Sequence, residues 1–195
     1  MQSMNGASSD PALYPMQEPL TRADLMRLRG GLTLWLLTMS VPLMLLVEMR
    51  FILVGTYVSP HVYQGVGIAA LIVLIVSGLV MSMANRAAKN GDTKSILTNT
   101  SLTMWLGFAA WVLIGIQVTN RTMHSTSHYG ETYLVTAGLV DFYLTCLLIA
   151  VFAVRSRVKR LAGSLQNFWG VHATTTVWWF GVIAWLVVYL EMYII

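Results

Sequence analysis

Five long apolar segments alternate with short polar connections along the chain. The apolar segments run over about 31–54, 62–84, 99–119, 132–154 and 167–192. Each is long enough to cross the hydrocarbon core of a bilayer, ~30 Å thick, at the ~1.5 Å rise per residue of an α-helix. In lipid, a segment of this length must pair its backbone polar groups internally, which favours a helix. The pattern predicts an all-α, polytopic membrane protein with five transmembrane helices.

Composition agrees with this pattern and limits the number of domains. Of the 195 residues, 56% are hydrophobic and 10% are charged, whereas soluble domains contain about 25% charged residues. The polar, proline-bearing stretch 1–24 is predicted to be a flexible cytoplasmic tail. Residues 25–195 are predicted to form a single five-helix membrane domain, which leaves no room for a separate soluble domain.

The basic residues are divided unequally between the two sides of the predicted bundle. Ten of them precede the first span or fill the second and fourth connections, and only Arg50 and Arg121 lie on the opposite side. Basic residues concentrate on the cytoplasmic side of membrane proteins, so the N-terminus is predicted to be cytoplasmic and the C-terminus external. This topology accounts for the net charge of +4, and no nucleic-acid partner is expected.

A few polar side chains fall inside or near the spans. Asp141 lies near the middle of the fourth span, where a carboxyl group is costly, and two roles remain open for it. It is either a tie to another helix or subunit, or a group that carries protons. Glu48 and Arg50 are predicted to anchor the outer end of the first span at the membrane interface. Gln117, like Asn120 after it, is expected to pair polar groups across helices.

Small and aromatic residues suggest how the helices meet. Gly107, Gly115 and Gly138 permit close approach of helix backbones. Trp178, like Trp179 beside it, lies too deep for the membrane interface and is expected to pack against other helices. Aromatic residues at the ends of the fifth span, such as Tyr193, suit the interfacial belts. Pro42 is expected to kink the first span and to free a backbone carbonyl.

The four histidines do not form a haem-binding set. His61, His124 and His128 fall in the predicted outer connections, so that His172 is left as the histidine within a span. A b-type haem site needs paired axial ligands. His124 and His128 are interpreted as exposed loop histidines, with a shared metal site as the alternative. The sequence shows no nucleophile paired with a base, no phosphate-binding loop and no metal-binding cluster. The chain is therefore predicted to be the non-catalytic partner of a larger assembly.

Several segments, in order, resemble subunit III of the haem–copper terminal oxidases in its five-helix form. Segment 31–40, with Trp35 and Ser40, resembles the opening helix of that family, and 77–92, beginning at Ser77, resembles its second-helix exit and basic turn. Gly107 and Gln117 fall where the third helix carries a glycine and a polar residue. Residues 129–130 and 138–139 resemble the fourth helix, and 168–189, with His172 and Trp178, resemble the closing helix.

The sequence departs from the family pattern at buried polar positions. Val41 stands where the family commonly has a glutamate, Asn120 where it has a third-helix glutamate, and Thr175 where it has an aspartate after the closing histidine. Val140 and Tyr143 replace a fourth-helix histidine pair. These differences suggest a divergent branch.

The resemblance implies an accessory role in a bacterial inner membrane. Subunit III of this family contacts the catalytic subunit I, alongside subunit II, and binds phospholipid between its helices. It carries no cofactor of its own, because haem and copper belong to the partner subunits, and the whole oxidase reduces oxygen to water and pumps protons. Candidate subunit or lipid contacts are Trp35, Ser40, Ser77, Gly107, Gln117, Gly138, Asp141, His172 and Trp178. The alternatives are a nitric oxide reductase-associated subunit of the same family and a small transporter built around Asp141.

Overall fold

The computed structural model of the chain describes residues 21–60, 62–119, 128–161 and 167–194. Within these ranges the chain is all-α, with five helices that are each long and apolar enough to cross a membrane. They are α1 (Arg22–Val54), α2 (Gln64–Lys89), α3 (Thr93–Val118), α4 (His128–Arg160) and α5 (Trp169–Tyr193). The predicted fold class and the five predicted segments are confirmed, and the orientation of the termini stays a prediction.

The first helix begins earlier than the sequence pattern indicated. The boundary between tail and domain was predicted at residue 25, but α1 starts at Arg22. Thr21 is its N-cap: its side chain accepts a hydrogen bond from the Asp24 backbone amide, and the Asp24 carboxylate accepts one from the Thr21 amide. This capping box satisfies amide groups that a helix start leaves unpaired. Residues 22–24 therefore belong to the helix, and the predicted tail boundary is wrong by these residues.

A tight turn joins α2 to α3, at the end of the segment 77–92 that resembles the family's basic turn. Gly91 has a φ of 71°, a backbone conformation that favours glycine. Asp92 then caps α3 by accepting a hydrogen bond from the Ser95 backbone amide. Hydrogen bonds from the Ser95 hydroxyl and amide lower the pKa of the Asp92 carboxyl below its usual value. The charged form of Asp92 is thus the one that holds the start of α3.

The outer connection before α4 is shorter than predicted. The fourth span was predicted to begin at residue 132, with His128 in the loop before it, but α4 begins at His128. His128 is exposed, as expected, yet it lies in the first helical turn, where its Nδ1 is 3.8 Å from Oε2 of Glu131. A carboxylate near a helix N-terminus is favoured by the helix dipole, which explains the earlier start. His61, Asn120, Arg121 and His124 lie outside the described residues.

Four of the helices form a closed ring, and α1 lies outside it. In the ring, α2 packs on α3, α3 on α4, α4 on α5, and α5 on α2. The fully buried core between them includes Trp178, Trp185, Leu74 and Leu144. α1 packs mainly against α4 and less against α5, and most of its apolar side chains are exposed in the isolated chain. In a bilayer these side chains contact lipid or another protein.

Candidate functional site

The interface between α2 and α5 is lined by hydrogen-bonded tryptophans. The Trp178 indole N–H donates to the Ser77 hydroxyl oxygen at 2.9 Å, and the side chain of Trp178 is 1% exposed. Ser77 in turn donates to the Leu74 carbonyl at 2.7 Å. The next residue, Trp179, donates from its indole N–H to the Ser82 hydroxyl of α2 at 2.9 Å. Both tryptophans therefore pack against helices, as predicted.

Gly107 of α3 makes room for Trp178. A Cβ atom at Gly107 would lie 2.5 Å from the Trp178 ring, far inside van der Waals contact. Ser77, Gly107 and Trp178, all candidate contact residues from the sequence, thus meet inside the helix ring. Their close packing is internal to this chain, and contact with another subunit or with lipid stays a prediction for them.

His172 lies near the start of α5, at the interface between α2 and α5. Its Nδ1 lies 3.4 Å from the amide nitrogen of Asn85, so that the amide donates and the imidazole accepts. The ring of Trp169 lies 5.4 Å from the imidazole, measured between centroids. Arg29 and Lys89 act electrostatically on the imidazole. His172 therefore ties α5 to α2 beside a basic surface.

A cluster of Gln117, Tyr129, Tyr133 and Tyr193, here called the tyrosine–glutamine cluster, occupies the end of the bundle at which α1, α3 and α5 finish. The side-chain carbonyl of Gln117 accepts from the Tyr133 hydroxyl at 2.5 Å and also from the Tyr193 hydroxyl. The two hydroxyl oxygens lie 2.7 Å apart. Tyr129 donates to the Met192 carbonyl at 2.5 Å. The prediction that Gln117 pairs polar groups across helices is confirmed.

Tyr193 is buried in the bundle and does not lie where the sequence predicted. It was assigned to an interfacial belt, but it is 2% exposed and its ring packs over Gly67 of α2. Its hydroxyl finds acceptors inside the bundle, which makes burial favourable. Arg50 was predicted to anchor the outer end of α1; it is fully buried and donates to the carbonyl oxygens of Gly55 and Tyr57 at 3.1 and 3.4 Å. Its placement at the membrane interface stays a prediction.

Asp141 lies on α4 and is partly buried. One turn later, Thr145 accepts a hydrogen bond from the Trp111 indole at 3.0 Å, which fixes this face of α4 against α3. The Asp141 oxygen Oδ1 is buried and has no hydrogen-bond partner among the described residues. Nothing lies within 4 Å of a Cβ placed at Gly115 or at Gly138. The two glycines therefore have open space beside them, whereas Oδ1 of Asp141 is covered by atoms of this chain that form no hydrogen bond with it.

Trp35 and Ser40 lie on α1, the outer helix. Trp35 is 40% exposed and lines an apolar cavity of about 310 Å³ between α1, α4 and α5, together with Met39, Tyr143 and Phe180. Ser40 donates to the Leu37 carbonyl of its own helix at 2.8 Å. The cavity is lined almost entirely by apolar side chains, so it suits a hydrocarbon chain better than a polar ligand.

One charged residue, Glu191, was missed in the sequence. Glu191 of α5 is 3% exposed, and neither of its carboxylate oxygens has a hydrogen-bond partner among the described residues. The signal that could have found it is a carboxylate near the end of α5 and an arginine near the end of α1, on the same predicted side of the membrane.

In the described part of the chain, no group of three or more His, Cys, Asp or Glu could hold a metal ion.

Comparison with known proteins gives two distant relatives. The chain is 24% identical over 122 residues to cytochrome c oxidase subunit 3 of Gadus morhua, a match that covers 62% of this chain and 47% of that protein. It is 22% identical over 123 residues to cytochrome c oxidase subunit 3 of Cyanidium caldarium, covering 63% of this chain and 46% of that protein. The similarity is to an oxidase subunit. It supports, at low identity, the family resemblance seen in the sequence motifs.

These matches are partial in two respects. The aligned region spans about half the length of the curated relatives. No family model matches the chain. The five apolar helices and the similarity together point to a multi-pass membrane protein related to oxidase subunit III.

Proposed function

We propose that the chain is the subunit III component of a bacterial haem–copper oxidase, an accessory subunit of the inner membrane. The observation that carries this proposal is the similarity to cytochrome c oxidase subunit 3 of two organisms over more than 60% of the chain. The five-helix fold supports it, because the described chain is a helical bundle in which hydrogen bonds such as Tyr133–Gln117 and Trp178–Ser77 join its own helices. Reduction of oxygen to water, with proton pumping, would take place in partner subunits I and II, which hold the haem and copper.

The part of α4 that carries Asp141 is proposed to meet subunit I. A carboxyl group in a membrane span is costly unless it is paired, and Oδ1 of Asp141 has no hydrogen-bond partner among the described residues. The open space at Gly115 and Gly138 leaves room for a helix from a neighbouring subunit. A hydroxyl or amide of that helix would form a hydrogen bond with the accessible part of the Asp141 side chain.

Phospholipid is proposed to occupy the apolar cavity beside Trp35. The cavity opens between α1 and the helix ring and is lined by Met39, Phe142, Cys146 and Phe180. A hydrocarbon chain buries well against such a lining, and each buried CH₂ group contributes about 0.8 kcal/mol. Bound lipid would fill the space that α1 leaves when it packs outside the ring.

One observation favours a different function. The unpaired Oδ1 of Asp141 would also suit a transporter that carries protons through this chain alone. Such a protein would work as a monomer or homo-oligomer and would not need haem-bearing partners. The nitric oxide reductase-associated alternative differs only in the complex that the chain joins.

Purification from native membranes tests the proposal. The chain carries an affinity tag after residue 195, and the purified material is analysed for its subunits, haem spectrum and copper content. The proposal requires large haem- and copper-bearing subunits and oxygen consumption in the purified complex. A nitric oxide reductase without oxygen consumption would favour the related family member. A chain that is recovered without any haem protein, from membranes shown to contain the oxidase, would refute the proposal.

A further inference from the structure

Two buried side chains of opposite charge lie at the end of the bundle where α1 and α5 finish. Arg50 is 0% exposed and Glu191 is 3% exposed. Arg50 uses its two terminal nitrogens to donate to the carbonyl oxygens of Gly55 and Tyr57. Its Nε, like both carboxylate oxygens of Glu191, has no hydrogen-bond partner among the described residues. Three strongly polar atoms are therefore left unpaired in one region.

Tyr129 connects the surroundings of the two charged groups. Its ring lies 6.0 Å from the ring of Tyr57, measured between centroids, and the Tyr57 carbonyl accepts a hydrogen bond from Arg50. Its hydroxyl donates to the carbonyl of Met192, the residue after Glu191. Yet in residues 21–60 and 167–194 no direct ion pair joins the guanidinium to the carboxylate. The two groups thus lie in one region of the bundle without contacting each other directly.

Such an arrangement costs free energy of folding if nothing compensates the three unpaired polar atoms. A buried charge or an unpaired buried polar group costs free energy unless a partner compensates it. Arginine stays charged under all ordinary conditions, so Arg50 needs a counter-charge. A neutral Glu191 would leave that charge uncompensated, and a bound metal cation would be repelled by the guanidinium. Buried waters typically form about three hydrogen bonds to groups that otherwise lack partners.

We propose that the space between Arg50 and Glu191 is an internal water site. At least one water accepts a hydrogen bond from Nε of Arg50 and donates to the ionised carboxylate of Glu191. The result is a water-mediated ion pair that joins the last turn of α5 to the end of α1 and to the 55–57 segment. This tie matters for α1 because its other contacts with the ring are mostly apolar. The inference does not depend on the proposed oxidase role.

The first test uses the unaltered protein. A high-resolution map of the full chain, purified with whatever subunits accompany it, should show water density within hydrogen-bonding distance of Arg50 Nε and Glu191. Direct contact between the two side chains, with no density between them, would overturn the proposal.

The second test uses infrared difference spectroscopy and thermal unfolding of Glu191→Gln in the same preparation. The spectrum should lose the band of an ionised carboxylate, and the unfolding temperature should fall by several degrees. Glu48→Gln is the matched control, because Glu48 is an exposed carboxylate two residues from Arg50, and it should leave the unfolding temperature unchanged. Loss of a protonated carboxylic acid band instead would show that Glu191 is neutral and would refute the ion pair.

The third test asks whether the two groups act together. In an Arg50→Met background, the further change Glu191→Gln should lower the unfolding temperature much less than it does in the wild type. Residues that share a hydrogen-bonded network show such non-additive effects, whereas independent residues do not. Additive effects of the two substitutions would contradict the proposal.

Discussion

The hydroxyl of Tyr143 on α4 donates a hydrogen bond to the Met39 carbonyl of α1, at 2.8 Å. Met39 lies three residues before Pro42, which stands inside an otherwise continuous helix. Proline lacks a backbone N–H and strains the preceding turn, and in membranes a neighbouring helix often supplies the missing hydrogen bond. Tyr143 thus provides a polar contact between α4 and α1 within one turn of Pro42.

The Tyr143 contact predicts a modest loss of stability on removal of one oxygen atom. Tyr143→Phe keeps the ring and deletes the donor. Intramembrane hydrogen bonds contribute about 0.6 kcal/mol on average and about 1.7 at most, so a loss within this range is expected in equilibrium unfolding. Tyr57→Phe is the control, since Tyr57 is 57% exposed. Equal stability of Tyr143→Phe and wild type would show that the α1 turn does not depend on this hydroxyl.

The close approach of Trp178 to Gly107 predicts that a single methyl group is not tolerated there. Gly107→Ala places a Cβ 2.5 Å from the indole, and overpacking of this kind costs about 1–3 kcal/mol. Gly115→Ala, on the same helix, has open space at its Cβ and should leave the unfolding temperature of the chain unchanged. If both variants unfold alike, the packing of Trp178 over α3 is not as described.

The tyrosine–glutamine cluster predicts a larger effect for the acceptor than for either donor. Gln117→Leu leaves two buried tyrosine hydroxyls with only each other, and an unpaired buried polar group costs about 1–3 kcal/mol. Adding both Tyr133→Phe and Tyr193→Phe should restore part of the stability, because these changes remove the two hydroxyls that have lost their acceptor. The single and triple variants are compared by chemical unfolding in detergent. Further destabilisation by the added changes would show that the two hydroxyls do not depend on Gln117.

Asp141 is predicted to be a structural tie rather than a proton carrier. Asp141→Asn retains a side chain that donates and accepts hydrogen bonds, so assembly and oxygen consumption of the complex should remain nearly intact. Asp141→Leu removes both abilities and should weaken retention of the chain in the complex. A several-fold loss of turnover or proton pumping in a fully assembled Asp141→Asn complex would instead assign proton transfer to this residue.

The distribution of basic residues predicts the orientation of the chain. A reporter fused to the N-terminus should be cytoplasmic and one fused after residue 195 should be external, since ten basic residues favour one side and two the other. Moving charge tests the cause: adding basic residues to the connection 55–63 should increase the fraction of inverted molecules. A cytoplasmic C-terminus would contradict the topology and the family assignment with it.

The sequence by itself determined the number of helices, their approximate positions and the fold class. Hydropathy and charge are local properties, so a span can be recognised without knowledge of its neighbours. The α2–α3 turn is equally local, since it depends on the neighbouring residues Gly91 and Asp92. It also singled out Ser77, Gly107 and Trp178, which the fold brings together, although the sequence could not show that they meet one another.

Only the tertiary structure decided which face of each helix points inward. In a soluble helix the buried face is apolar and the other is polar, but in a bilayer both the lipid-facing and the core-facing sides are apolar, so the pattern does not distinguish them. Tyr193 could therefore be assigned to the interface when it actually meets Gln117 and Tyr133 inside the ring. Arg50 and Glu191 are far apart in the chain, and their common burial depends on how α1 and α5 pack, which no local pattern records.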